Sequence, residues 1–276
     1  MTKQILTIAG SDAGGGAGIQ ADLKTFEEFN TFGISTITSI LSVNPQTEQH
    51  ALYQIPLEVI DDQLTTAFSG GSLTAVKIGL LGATSTIPLI AERLNMSSPE
   101  FLVVDPVAAV KSTTSLLQNN LLNEIISKLF PIATVVTPNL IEAEILSGLT
   151  IRSLNDMKQA AIKIKQLGPK SVVIKGGARL AGAEAIDLVY DGESFTQLTE
   201  PMLPYQTNHG AGCSFSAAIT ANLANGHDLL TSVEISKKYV HEAIKHGIYL
   251  NEKTGYVWHG AYRQAQLGGI YEPKVF

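Results

Sequence analysis

One cysteine, Cys213, in 276 residues rules out an internal disulfide and a cysteine-rich metal site. Basic residues are the minority: 19 Lys and Arg against 25 Asp and Glu leave a net charge of −6, which argues against a nucleic-acid partner. No apolar run approaches the roughly 20 residues that a membrane-spanning helix needs, so no membrane partner is expected. The opening Met-Thr-Lys-Gln-Ile-Leu-Thr-Ile-Ala-Gly does not read as a secretory signal, and the expected compartment is the cytoplasm. A Gly-x4-Gly-Lys-Ser/Thr loop is absent too, which removes the Walker type of phosphate cradle. Charged residues make up only 16 % of the chain and hydrophobic ones 45 %, a composition that supplies a core and excludes disorder. No low-complexity linker and no internal repeat interrupts the chain, so a single domain over 1–276 is expected.

Short apolar runs alternate with amphipathic stretches. Strands are expected at 5–9, 35–43, 75–78, 101–104, 134–136, 171–174 and 186–190. Several, such as Leu102-Val103-Val104 and Val172-Val173-Ile174, are continuously apolar, as strands buried on both faces of a parallel sheet are. Helical spacing appears from near Ala17 (Ile19, Leu23, Phe26), along Leu117, Leu121, Ile125 and Leu129, and over 139–146, 154–167, 213–224 and 229–250. This order predicts an α/β fold, a doubly wound, mostly parallel sheet with helices on both faces. The polar segment 44–56 is expected to project as a small flap.

Four segments sit where such a sheet binds ligands, beyond the carboxyl ends of its strands. The glycine-rich turn Gly10-Ser11-Asp12-Ala13-Gly14-Gly15-Gly16-Ala17-Gly18 permits close backbone approach. Read otherwise, it is a permissive turn, or the loose dinucleotide pattern Gly16-x-Gly18-x-x-Ala21, without the acidic residue that would hold a ribose. Asn208-His209-Gly210-Ala211-Gly212-Cys213-Ser214 leads straight into a helix of small residues, where backbone amides form an anion cradle. The helix dipole there should lower the thiol pKa of Cys213, which could then take a proton from a hydroxyl. After the strand at 134–136, Asn139 and Glu142 share a helical face that suits water-mediated Mg²⁺ binding or, equally, a helix cap. Asp105-Pro106 and Lys175-Gly176-Gly177 each end a strand, placing a carboxylate and an ammonium for metal and phosphate.

In this order the segments resemble the ribokinase-like superfamily in its vitamin-kinase branch, from Leu6 to about Tyr262. The most specific matches are Thr7-Ile8-Ala9-Gly10-Ser11-Asp12, Val104-Asp105-Pro106-Val107, Val136-Thr137-Pro138-Asn139-Leu140, Ile174-Lys175-Gly176-Gly177 and His209-Gly210-Ala211-Gly212-Cys213. The branch holds hydroxymethylpyrimidine (phosphate) kinases and bacterial pyridoxal kinases. The resemblance implies a ribokinase-like fold, a homodimer, and ATP-dependent phosphorylation of a hydroxymethyl group with Mg²⁺. By it, Gly210, Ala211, Gly212 and Cys213 form the anion hole, with Cys213 as the base. Lys175, Asn139, Glu142 and Gly177 would serve the nucleotide, and Asp105 and Glu142 the metal. The vitamin would lie against Asp12, Gly18, Val43, His50, Leu80, Val107 and His209.

Val43 stands where the pyrimidine kinases usually carry a glutamine, and His50 matches the flap histidine of the pyridoxal kinases; both favour pyridoxal, with hydroxymethylpyrimidine as a second substrate or the alternative. The pyridoxal kinases usually carry a second cysteine before the lysine matched by Lys111, and this chain has Val110 there. A Gly-Pro-Val common near the end is replaced by Gly255-Tyr256-Val257. A NAD-dependent oxidoreductase and a non-catalytic vitamin sensor are the remote alternatives.

Overall fold

The computed structural model describes residues 2–44, 46–47, 49–107, 115–180, 182–250 and 254–269. Val110 and Lys111 therefore lie outside the described residues. The strands are β1 (Gln4–Asp12), β2 (Phe32–Val43), β3 (His50–Gln54), β4 (Ala75–Ile78), β5 (Phe101–Val104), β6 (Val135–Val136), β7 (Ser171–Lys175), β8 (Glu184–Tyr190) and β9 (Phe195–Pro201). They form one nine-stranded sheet in the order β3-β2-β1-β4-β5-β6-β7-β8-β9. From β2 to β7 all pairings are parallel, while β2 with β3, β7 with β8 and β8 with β9 pair antiparallel at the two edges. The chain winds outward from β1 to β2 and then returns to β4 on the other side, which puts the topological switch between β1 and β4.

The helices α1 (Gly18–Glu28), α2 (Leu57–Phe68), α3 (Thr86–Ser97), α4 (Ser115–Lys128), α5 (Leu140–Ser147), α6 (Leu154–Lys165), α7 (Ala211–Ala224), α8 (Leu229–Lys245) and α9 (Ala261–Gln266) follow. One face of the sheet packs α2 to α6 around Leu6, Ile8, Val76, Ile78, Val104 and Ile174. The opposite face packs α1, α7 and α8 on Ile5, Ala75, Val103, Val135 and Val173. Neighbouring strand residues thus enter opposite cores, which is why their sequence runs are continuous rather than alternating. None of the helices among the described residues is long and apolar enough to cross a membrane.

Several boundaries differ from expectation. The helix expected to run to residue 250 stops at Lys245, because at Gly247 the chain presses on Thr207 so closely that a β-carbon would lie 2.3 Å from the Thr207 side chain. It continues instead as the hairpin β10 (Ile248–Tyr249) and β11 (Gly255–Tyr256). The helix expected from Cys213 begins at Ala211. The flap expected over 44–56 is in part β3, paired with β2 so that His50 lies opposite Val43.

Candidate active site

Two glycine turns meet at the carboxyl edge of the sheet. Gly18 opens α1 with φ +57°, and a β-carbon there would lie 2.2 Å from the Gly10 carbonyl oxygen. Gly210, the residue before α7, has φ +89°, and its β-carbon would lie 1.7 Å from the Gly16 carbonyl oxygen. Only glycine accepts both the positive φ and the contact. Asp12, at the end of β1, is the organiser of the first turn. Its carboxylate accepts the N–H groups of Gly14 (2.9 Å), Gly16 (3.2 Å) and Ala17 (2.9 Å) and lies 3.0 Å from His209 Nε2. Burial pushes the Asp12 carboxyl up, but the bonds from His209, Gly14 and Ala17 outweigh it and hold the group at about 2. Asp12 and His209, both expected against the vitamin ring, are thus bonded to each other and stitch the two turns together.

No side chain caps α7. The Ala211 N–H donates to the Asn208 carbonyl at 3.1 Å and the Ser214 N–H to the Gly210 carbonyl at 2.9 Å. A β-carbon on Gly212 would sit 3.5 Å from Lys175 Nζ. Lys175 in turn pairs with Asp105 at 2.6 Å, and Asp105 also accepts from Thr137 Oγ1 at 3.2 Å and Ser216 Oγ at 3.4 Å. The sequence expectation for the thiol is corrected. Burial pushes Cys213 up, with Lys77 pulling it down and Asp22 and Asp105 pushing it up. Desolvation is the largest influence on this sulfur.

Asn139 and Glu142 form a capping box at α5: Glu142 N–H donates to Asn139 Oδ1 at 3.0 Å and Asn139 N–H to Glu142 Oε2 at 2.8 Å. Burial pushes the Glu142 carboxyl up to about 7, against the pull of Lys175 and with the push of Asp105. Among the described residues no three His, Cys, Asp or Glu side chains cluster as a metal site. Asp105 and Glu142 offer carboxylate oxygens of the kind that Mg²⁺ takes alongside water and phosphate oxygens.

Beside this cluster opens a cleft of about 510 Å³, lined by Lys175, Gly177, Met202, Tyr205, Phe215 and His241 among others. Its floor holds a pair that sequence reasoning missed. Asp187 accepts the Gly176 N–H at 3.0 Å and pairs with Lys237 at 2.7 Å, fixing the turn that carries Gly177. On the other side of the glycine turns, Val43 and His50 are register partners on β2 and β3, and Val107 follows Asp105. Leu80 is held by the bond from Thr38 Oγ1 to its carbonyl and lies by Gly10. His50 Nδ1 is buried without a hydrogen-bond partner among the described residues. Sequence reasoning also missed Tyr256, whose ring packs against Gly14, Gly16 and His209.

A doubly wound sheet with an amide cradle at a helix N-terminus, a lysine–carboxylate pair and a nucleotide-sized cleft defines an ATP-dependent small-molecule kinase of the ribokinase-like kind. The model of the phosphomethylpyrimidine kinase family matches residues 12–258, and the chain belongs to that family. It is 44 % identical over 265 residues to a putative pyridoxine kinase of Staphylococcus aureus, with 96 % of each chain covered. It is 36 % identical to the hydroxymethylpyrimidine/phosphomethylpyrimidine kinase of Bacillus subtilis, over 95 % of this chain and 96 % of that one. The solved pyridoxal kinase of Staphylococcus aureus in complex with AMP-PCP and pyridoxal superimposes with a TM-score of 0.90 at 44 % identity, covering 96 % of both chains.

Proposed function

We propose that this protein transfers the γ-phosphoryl group of ATP to the hydroxymethyl group of pyridoxal, and accepts hydroxymethylpyrimidine as a second substrate. The observation that carries this reading is the N-terminus of α7, without a side-chain cap, where a β-carbon on Gly212 would lie 3.5 Å from the Lys175 ammonium and Cys213 is the next residue. ATP lies in the cleft over Gly177, with its phosphates between Lys175 and the start of α7. Cys213, acting as its thiolate, takes the proton of the substrate hydroxyl as that oxygen bonds the γ-phosphorus, and the bond from that phosphorus to the ADP oxygen breaks. Charge developing on the transferred group is met by the α7 amides and Lys175. A bound Mg²⁺ would supply positive charge against the phosphates. Glu142 and Asn139 would hold it through water, while Asp105, committed to Lys175, Thr137 and Ser216, keeps the lysine charged and in place.

Pyridoxal is favoured over the pyrimidine because Val43 offers no hydrogen bond, whereas its partner His50 has a buried nitrogen without one. An unpaired ring amine against Val43 costs roughly 1–3 kcal/mol. The reading also comprises a cytoplasmic setting, where ATP is supplied, and a homodimer. ADP release measured side by side with pyridoxal, pyridoxine, hydroxymethylpyrimidine and its phosphate tests the substrate. A strong preference for the pyrimidine pair would reassign the chain to thiamin-type chemistry. Cys213→Ala is expected to lower kcat by about 10²–10⁴-fold with ATP affinity retained, and normal turnover in that variant would remove the base.

A further inference from the structure

The hairpin that follows α8 reaches back to the first glycine turn through one side chain. β11 is held along its length by backbone bonds. The His209 N–H donates to the Gly255 carbonyl at 3.1 Å, the Val257 N–H to the His209 carbonyl at 3.2 Å, and the Trp258 N–H to the Ala243 carbonyl at 2.9 Å. Gly255 also presses on the chain before His209, where its β-carbon would lie 2.8 Å from Thr207 Cα. Gly255 and Val257 are buried, so the period of two turns the half-buried Tyr256 the other way, against the turn that follows β1.

The ring lies on bare glycine backbone. A β-carbon on Gly16 would lie 1.9 Å from Tyr256 Cδ1 and 2.7 Å from Cε1, and one on Gly14 would lie 2.6 Å from the phenol oxygen. Gly16 is buried and its φ is outside the left-handed range, so the ring, not the backbone, demands glycine here. Gly210 stands at the same residue, its β-carbon position 1.7 Å from the Gly16 carbonyl oxygen. Gly16 is thus held between Tyr256 and the residue that precedes α7, while its N–H donates to Asp12 at 3.2 Å. The ring also meets His209 edge to face, with centroids 4.9 Å apart and planes at 80°, and His209 Nε2 lies 3.0 Å from Asp12.

We infer that Tyr256 is a positioning residue for phosphoryl transfer, its ring setting the distance between the Asp12 turn and the N-terminus of α7. The inference rests on the proposed placement of the vitamin against Asp12 and of the transferred group at α7. Tyr256 acts through Gly16 and His209, not on a reactant. Without the ring, the turn has a void to relax into, and a shift of about 1 Å between reacting groups costs about 10²-fold.

Tyr256→Ala is expected to lower kcat/KM for the vitamin by about ten- to a hundredfold, with KM for ATP within about twofold. Tyr256→Phe keeps the ring carbons that meet Gly16 and should stay within about twofold of the unaltered protein. Gly16→Ala sets a methyl against the ring and is expected to lose about as much as Tyr256→Ala. In the double variant the methyl takes the space the ring has left, and only His209 Cδ2, at 3.1 Å, must give by a few tenths of an ångström. Its loss should therefore be no greater than that of either single variant, not the product of the two. Losses that multiply overturn the inference. So do normal turnover in Tyr256→Ala, a Tyr256→Phe protein as impaired as Tyr256→Ala, or a KM for ATP that climbs with that for the vitamin. Circular dichroism verifies folding, and Tyr256→Leu takes the place of Tyr256→Ala should that chain not fold. The cycle is run with whichever of pyridoxal and hydroxymethylpyrimidine turns over faster, so a pyrimidine preference would defeat the substrate reading and leave this result legible.

Discussion

His259 shows how much a single side chain can reveal once its surroundings are known. It is 5 % exposed, bonded to Ser214 Oγ at 3.0 Å, and held down at about 4 by burial and the nearby charge of Lys24. In the unfolded chain the same imidazole gains its proton near 6.5. Between these values the unfolded state binds more protons than the native one. Stability is therefore fully present above about pH 6.5 and falls as pH drops toward 4, by about 3 kcal/mol at most. Denaturant unfolding over that range should show the slope, and His259→Gln should flatten it. Nothing in the local sequence Val257-Trp258-His259-Gly260 distinguishes this histidine from an exposed one. Lys77 was more legible: a lysine inside Ala75-Val76-Lys77-Ile78 breaks a buried strand and asks for a buried partner, though only the fold names Asp22.

At the scale of the element, the junction of the first glycine turn with α7 bears the most weight. Gly210→Ala must adopt φ +89° with its methyl 1.7 Å from the Gly16 carbonyl oxygen. The left-handed backbone alone costs about 1–2 kcal/mol, and relieving the contact pushes the two turns apart. The variant is expected to lose at least about 2 kcal/mol in denaturant unfolding and to lose turnover beyond that, because a displacement of about 1 Å at the reacting groups costs about 10²-fold. Turnover that survives intact would show that the cradle does not depend on this contact. The turns were visible in the sequence as glycine clusters, and the central strands as doubly buried apolar runs. The edges were not. β9 alternates half-buried and exposed positions, and β3 has no fully buried residue, so neither carries an apolar run. Helices α2 and α3 escaped too, although Ile60, Leu64 and Ala67, and Ile87, Ala91 and Leu94, line their buried faces. The Asn139 and Glu142 ambiguity had a physical source: a capping box and a metal-water site call for the same residues at the same spacing.

For the whole molecule, the arrangement around β1 explains why so much of the site converges. The switch between β1 and β4 opens a crevice at the carboxyl edge, and the turns after β1, β5, β6 and β7 all empty into it. One end of the same sheet is left open at β3. There Ile40 and Tyr53, register partners across β2 and β3, are 40 % and 61 % exposed, with Leu57 and Val59 at the start of α2 each 42 % exposed. An edge strand bearing apolar side chains is a template for association unless something covers it. A second copy of the chain is the proposed cover, and the consequence reaches the active site, because β3 also carries His50 and pairs it with Val43. Tyr53→Lys introduces a charge into that surface and should weaken self-association by about tenfold or more, seen by sedimentation velocity across a dilution series. As the dimer dissociates, KM for the vitamin should rise while KM for ATP, proposed to bind at the far side of the glycine turns, holds. A dimer indifferent to Tyr53→Lys would place the interface away from β3, and a vitamin KM that ignores dissociation would show that the flap is held by its own chain alone.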